Sequence, residues 1–163
     1  MTITMTGCSG MHDDRDEASV RDVPLAEEDG RSLSSEIYAM MGLKNAKSTE
    51  PGPHAALCEG EDPERYYMVR HAWAVHGVPF ADLEQAMERL KKEMPEKGWK
   101  IVKYGPDSSP AKTLELMADS TEKKFSVAIH LLDERKKSRE SRIAVSLAST
   151  CYEVPAGKTV TER

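Results

Sequence analysis

Residues 125–152 read FSVAIHLLDERKKSRESRIAVSLASTCY, and this stretch decides the fold. Phe125, Val127, Ile129 and Leu131 share one parity, and so do Ile143, Val145 and Leu147. Strict alternation of apolar and polar residues is the mark of a strand with one buried face. The charged segment Asp133–Ser141 joins the two runs as a long hairpin.

Working upstream, Trp99–Tyr104 and Thr113–Ala118 are two further strand candidates. Residues 65–77 give a fifth, with Tyr67, Val69, His71, Trp73 and Val75 on one parity, broken by Val78-Pro79. Between them, residues 80–94 place Leu83, Ala86, Met87, Leu90 and Met94 at helical spacing on one face. Asp82 and Glu84 near the start and Lys91 and Lys92 near the end suit the helix dipole, and Pro95 and Gly98 stop it. Residues 32–44 predict a short helix, with Ser32 or Ser34 as cap. The expected fold class is α+β: an antiparallel sheet of four to five strands with one main helix packed on it.

The chain has 163 residues, which is one domain's worth, or one domain with a tail. It carries 23 Lys+Arg against 28 Asp+Glu, a net charge of −5, which argues against a nucleic-acid partner. Residues 8–31 hold eight acids and three bases, so they account for the whole net charge. They are poor in apolar residues, and the expectation is a disordered acidic tether. The domain is expected over 32–157, followed by a polar C-terminal tail over 158–163.

Met5-Thr6-Gly7-Cys8 resembles the lipobox of bacterial lipoproteins, with Thr6-Gly7-Cys8 at its last three positions. The resemblance implies that Cys8 is diacylated through its sulfur and anchors the chain to a membrane. Residues 1–7 are then a residual signal or start segment. They contain no basic n-region and no apolar h-region. Either the true start lies upstream, or the signal has been trimmed, or the match is chance.

Setting Cys8 aside leaves Cys58 and Cys151, and no CxxC spacing occurs. Cys58 follows the breaker run Glu50-Pro51-Gly52-Pro53, and Cys151 ends the last strand-like run. A Cys58–Cys151 disulfide fits an exported chain; two buried free thiols are the alternative. Cys8, Cys58, the helix Leu83–Leu90, Gly98-Trp99 and Ser149-Thr150-Cys151 together resemble small actinobacterial cell-envelope lipoproteins. That resemblance implies location and architecture, not chemistry.

Candidate chemical sites are weak. Ala156-Gly157-Lys158-Thr159 carries a GK[ST] ending, but Tyr152 stands where a P-loop needs glycine. His12, His54, His71, His76 and His130 show no HExxH or i,i+4 pairing. The nine methionines raise a soft-metal site, against which Met40, Met41, Met87 and Met94 fit helix packing faces. Glu59, Glu61, Asp62 and Glu64 lack the acid spacing of an EF-hand. Arg135, Lys136, Lys137, Arg139 and Arg142 make a basic hairpin tip, diluted by Asp133, Glu134 and Glu140, that suits headgroups or simply guards an edge. No GxSxG elbow is present.

The expected function is a lipid-anchored extracytoplasmic binding or interaction module without catalytic residues, cofactor or metal. Its partners are the membrane, through the anchor, and an envelope protein or wall polymer. An exposed apolar patch would support this. A concave apolar pocket, or Met and His converging within coordination distance, would favour a small-ligand or metal carrier at the envelope. A cleft with a perturbed-pKa residue beside a nucleophile would favour a small hydrolase.

Overall fold

A computed structural model describes residues 17–161. The candidate lipid-bearing Cys8, the signal-like residues 1–7, the first part of the acidic stretch and the last two residues lie outside that range.

The five long strands expected from the alternation are present. They are β4 (Tyr66–His76), β5 (Lys100–Pro106), β6 (Leu114–Ser120), β7 (Phe125–Leu132) and β8 (Arg142–Ser149). Four short strands add to them: β1 (Ser19–Val20), β2 (Lys47–Ser48), β3 (His54–Ala56) and β9 (Tyr152–Glu153). All nine form one sheet in the order β1-β9-β4-β8-β7-β6-β5, with β2 and β3 also on β4. The sheet is therefore larger than expected, and it is mixed, because β1 runs parallel to β9. Strands of two or three residues are too short to show a period in sequence.

The alternation orients the long strands. Phe125, Val127, Ile129, Leu131, Ile143, Val145 and Leu147 all point into the core, and Val127 faces Leu147 across β7 and β8. The opposite face of the same strands carries Ala128, Ala144, Ser146 and Ala148. Both helices pack against strands of this one sheet and against each other.

Among the described residues there are two α-helices, and the one expected to be short, over 32–44, is the longer. α2 (Phe80–Glu93) buries Leu83, Ala86, Met87 and Leu90. α1 (Val23–Met41) is the longer, at 19 residues, and starts well before Ser32. The expected tether over 8–31 is corrected accordingly for its later residues, and so is the domain start at residue 32. Composition counts Val23, Ala26, Leu33 and Ile37 as sparse, but they fall three, seven and four residues apart, which keeps them on one helix face, and all are buried. Pro24 sits in the first turn, where its missing N–H costs nothing.

The acids and bases of this segment are paired within the domain. Arg21 meets Asp29 at 2.6 Å, and Lys158 meets Asp22 at 2.8 Å. The Tyr67 hydroxyl donates to the Arg21 carbonyl at 2.7 Å. The expected tail is also docked as far as Val160, whose N–H donates to the Glu64 carbonyl at 3.0 Å.

α1 ends at Gly42, which takes the left-handed conformation at φ 60° and donates to the Ala39 carbonyl at 3.1 Å. Arg89 of α2 donates to the Met41 carbonyl at 2.7 Å, satisfying another group left over at the helix end. Cys58 and Cys151 form a disulfide with a Cα–Cα distance of 6.0 Å. β4 lies between the two segments that it joins: Ala56 faces Met68 on one side, and Tyr152 faces Tyr67 on the other.

Candidate functional site

The site lies where α1 crosses β4. Gly30 sits on the buried face of α1, and a Cβ there would lie 3.2 Å from Val69 Cγ1 and 3.4 Å from Pro53 Cβ. The missing side chain lets the helix approach the strand closely. One turn on, Ser34 comes down over His71 and Trp73. Those two share a parity on β4, so both reach the helix side.

Ser34 Oγ lies 2.7 Å from His71 Nδ1, and the Trp73 indole donates to the same oxygen at 3.1 Å. An indole N–H can only donate, so the hydroxyl accepts there, and the direction of its bond to the imidazole is set by the tautomer of the ring. Burial pulls the His71 pKa below its ordinary value, and a hydrogen bond to the Pro51 carbonyl only partly offsets this. The ring is therefore neutral at pH 7. The Pro51 carbonyl can only accept, so the neutral ring gives its one proton there and accepts from Ser34 at Nδ1.

The segment between β2 and β3 forms the other wall. It is held to β4 by Thr49, whose N–H donates to the Ala74 carbonyl at 3.0 Å and whose hydroxyl accepts from the Ala74 N–H at 2.9 Å. Between this wall and α1 is a cleft of about 320 Å³, with Arg31, Tyr38, Glu50 and Gly52 on its rim. That volume is at the small end of ligand pockets, which run from about 300 Å³. Ser34 and Trp73 are only 6% and 7% exposed, so they form the floor. The rings of Tyr38 and Trp73 lie 6.2 Å apart.

A second, wider cleft of about 850 Å³ lies beside Cys151 and is bordered by Glu17, Glu59, Glu61, Asp119 and Lys124. It lacks the hydrogen-bonded Ser–His–Trp floor of the first.

The other residues singled out in the sequence are dispersed. His130 Nε2 meets Glu115 at 2.7 Å and His76 Nδ1 meets Glu140 at 3.1 Å, each as a separate surface pair. Met40, Met41, Met87 and Met94 are all in the core. Among the described residues, no three His, Cys, Asp or Glu side chains are grouped to hold a metal ion. Cys58 and Cys151 are bonded to each other and offer no thiol. At the basic hairpin tip, Arg135 grips Asp133 through two hydrogen bonds of 2.8 and 2.7 Å and lies 3.7 Å over the Phe80 ring. That pairing holds the Asp133 carboxyl down at about 2. Lys158 of the GK[ST] ending is paired with Asp22. The exposed large apolar side chains Val20, Leu25, Leu57, Val102 and Met117 fall on five separate elements or loops.

Sequence reasoning missed the cleft. Ser34 and His71 are 37 positions apart, and Ser34 reads as a possible cap. The available signal was His71 itself, a polar ring inside the otherwise apolar parity of β4. Among the described residues, no helix is long and apolar enough to cross a membrane. Comparison of the chain with protein-family models, curated proteins and solved structures found no match.

Proposed function

We propose that the chain is the extracytoplasmic domain of a lipid-anchored envelope protein, resembling small actinobacterial lipoproteins, and that it binds a small polar ligand between α1 and β4. The cleft carries this reading: convergent Arg31, Ser34 and His71 groups beside the Tyr38 and Trp73 rings in a pocket of about 320 Å³. A few placed polar groups against an aromatic wall are the usual make-up of a small-molecule site. The anchor rests on the lipobox-like Thr6-Gly7-Cys8. The Cys58–Cys151 bond supports an oxidising compartment.

Two measurements test the proposal. The intact mass of the chain from its native host should show a start at Cys8 with added acyl mass, and two cysteines that label only after reduction. A Met1 start with three directly labelled thiols overturns the anchor. For the cleft, saturation-transfer NMR with amino acids, sugars and aromatic carboxylates should find binders that Gly52→Phe abolishes. A Cβ on Gly52 meets only Arg31 Nη2, at 3.5 Å, and Gly52 lines the cleft, so bulk added there acts at the cleft wall. No binder, or binding that survives Gly52→Phe, overturns the cleft as the ligand site.

A further inference from the structure

We propose that Ser34 is a nucleophile for acyl transfer, with His71 as its general base, and that the ligand class of the cleft is a small carboxylic ester. The proposal rests on the cleft being the ligand site. A serine hydroxyl is a weak nucleophile until a neighbouring base takes its proton, and base and nucleophile must lie within hydrogen-bond reach. Ser34 Oγ and His71 Nδ1 meet that condition at 2.7 Å. The neutral ring donates its one proton to the Pro51 carbonyl, so the tautomer that leaves Nδ1 able to accept is the one favoured. Trp73 Nε1, at 3.1 Å, fixes the direction of the oxygen and stabilises charge growing on it. Arg31, which lines the same cleft and is paired with Glu28 at 2.8 Å, is a cation available to a developing oxyanion.

The step balances without any further reagent. Ser34 Oγ bonds to the ester carbonyl carbon while its proton passes to His71 Nδ1. The tetrahedral adduct collapses, the C–O bond to the alcohol breaks, and His71 returns the proton to the leaving oxygen. Water then attacks the acyl-serine, giving one proton to His71, and Ser34 regains a proton as the acid departs. Ester and water become acid and alcohol.

The same three side chains would also clip α1 to β4 if they were purely structural, so the test reads reactivity rather than stability. The full disulfide-bonded chain is incubated with a fluorophosphonate probe and analysed by intact mass and peptide mapping. The expected result is a single adduct on Ser34, with fluoride released. Its rate should rise with pH and level off below about 6.5, the ordinary histidine value. His71→Gln, which keeps a polar partner, should slow labelling by roughly 100-fold or more, as loss of a general base does. Mapping on the unaltered chain decides the matter even where Ser34→Ala does not fold. No adduct, or an adduct only on another serine, overturns the proposal. If NMR binders sensitive to Gly52→Phe persist while Ser34 stays unlabelled, the nucleophile is wrong and the cleft stands. If neither is seen, both fall.

Discussion

Removing the disulfide by the double substitution Cys58→Ala, Cys151→Ala should cost several kilocalories per mole, mostly through the unfolded state. The bond joins residues separated by 93 positions. In the chain-entropy model, closing a loop of that length lowers the entropy of the unfolded chain enough to stabilise the fold by about 4.7 kcal/mol at 25 °C. Observed values often fall below the model, so a loss of about 2–5 kcal/mol is expected. For a chain of this size each kcal/mol moves Tm by about 2–4 °C, so the shift is roughly 5–20 °C. Urea unfolding followed by fluorescence suits the measurement, because Trp73 and Trp99 are both buried in the core. The uncrosslinked chain should also unfold to a more expanded ensemble, which raises the m-value. A loss under about 1 kcal/mol with an unchanged m-value would refute the reasoning. It would mean that the two segments flanking β4 are already held together in the denatured chain.

Three other outcomes follow from the packing of α1. Burial lowers the His71 pKa, so the folded state favours the neutral ring. The stability this brings is fully present above about pH 6.5 and is lost as pH falls through the lowered folded value; His71→Gln should flatten that part of a plot of urea midpoint against pH. Gly30→Leu forces a side chain into Val69 and Pro53 and should cost about 1–3 kcal/mol while shifting the Trp73 emission, as Ser34 is lifted away; unchanged stability and emission would show that the helix moves off freely. Arg89→Ala leaves the Met41 carbonyl without its side-chain donor and should cost about 1–3 kcal/mol in thermal or urea unfolding.

Much of the scaffold was legible along the chain. The alternation of Tyr67 to Val75, Phe125 to Leu131 and Ile143 to Leu147 marks strands, because a sheet with one buried face forces a two-residue period. Leu83, Ala86, Met87 and Leu90 mark α2 for the matching reason, with a period near 3.6. The start of α1 was obscured because the same residues carry the chain's excess of acid. Net charge reports how a segment meets water, whereas helix formation there depends on the spacing of a few apolar residues. Val23 and Ala26 supply that spacing, and Arg21 and Lys158 pair with nearby acids.

The cleft is of another kind. Its floor joins Ser34 to His71 and Trp73 through hydrogen bonds that span 37 and 39 positions. No local rule connects residues so far apart; their meeting depends on where α1 crosses β4, which in turn depends on Gly30 having no side chain. The sequence by itself determined the strand and helix periods, the α+β class and the pair of cysteines available for bonding, since each follows from spacing or counting along the chain. Only the tertiary structure decided the sheet order, the added edge strands and the Ser34–His71–Trp73 floor, because these are set by contacts between elements that the chain brings together from a distance.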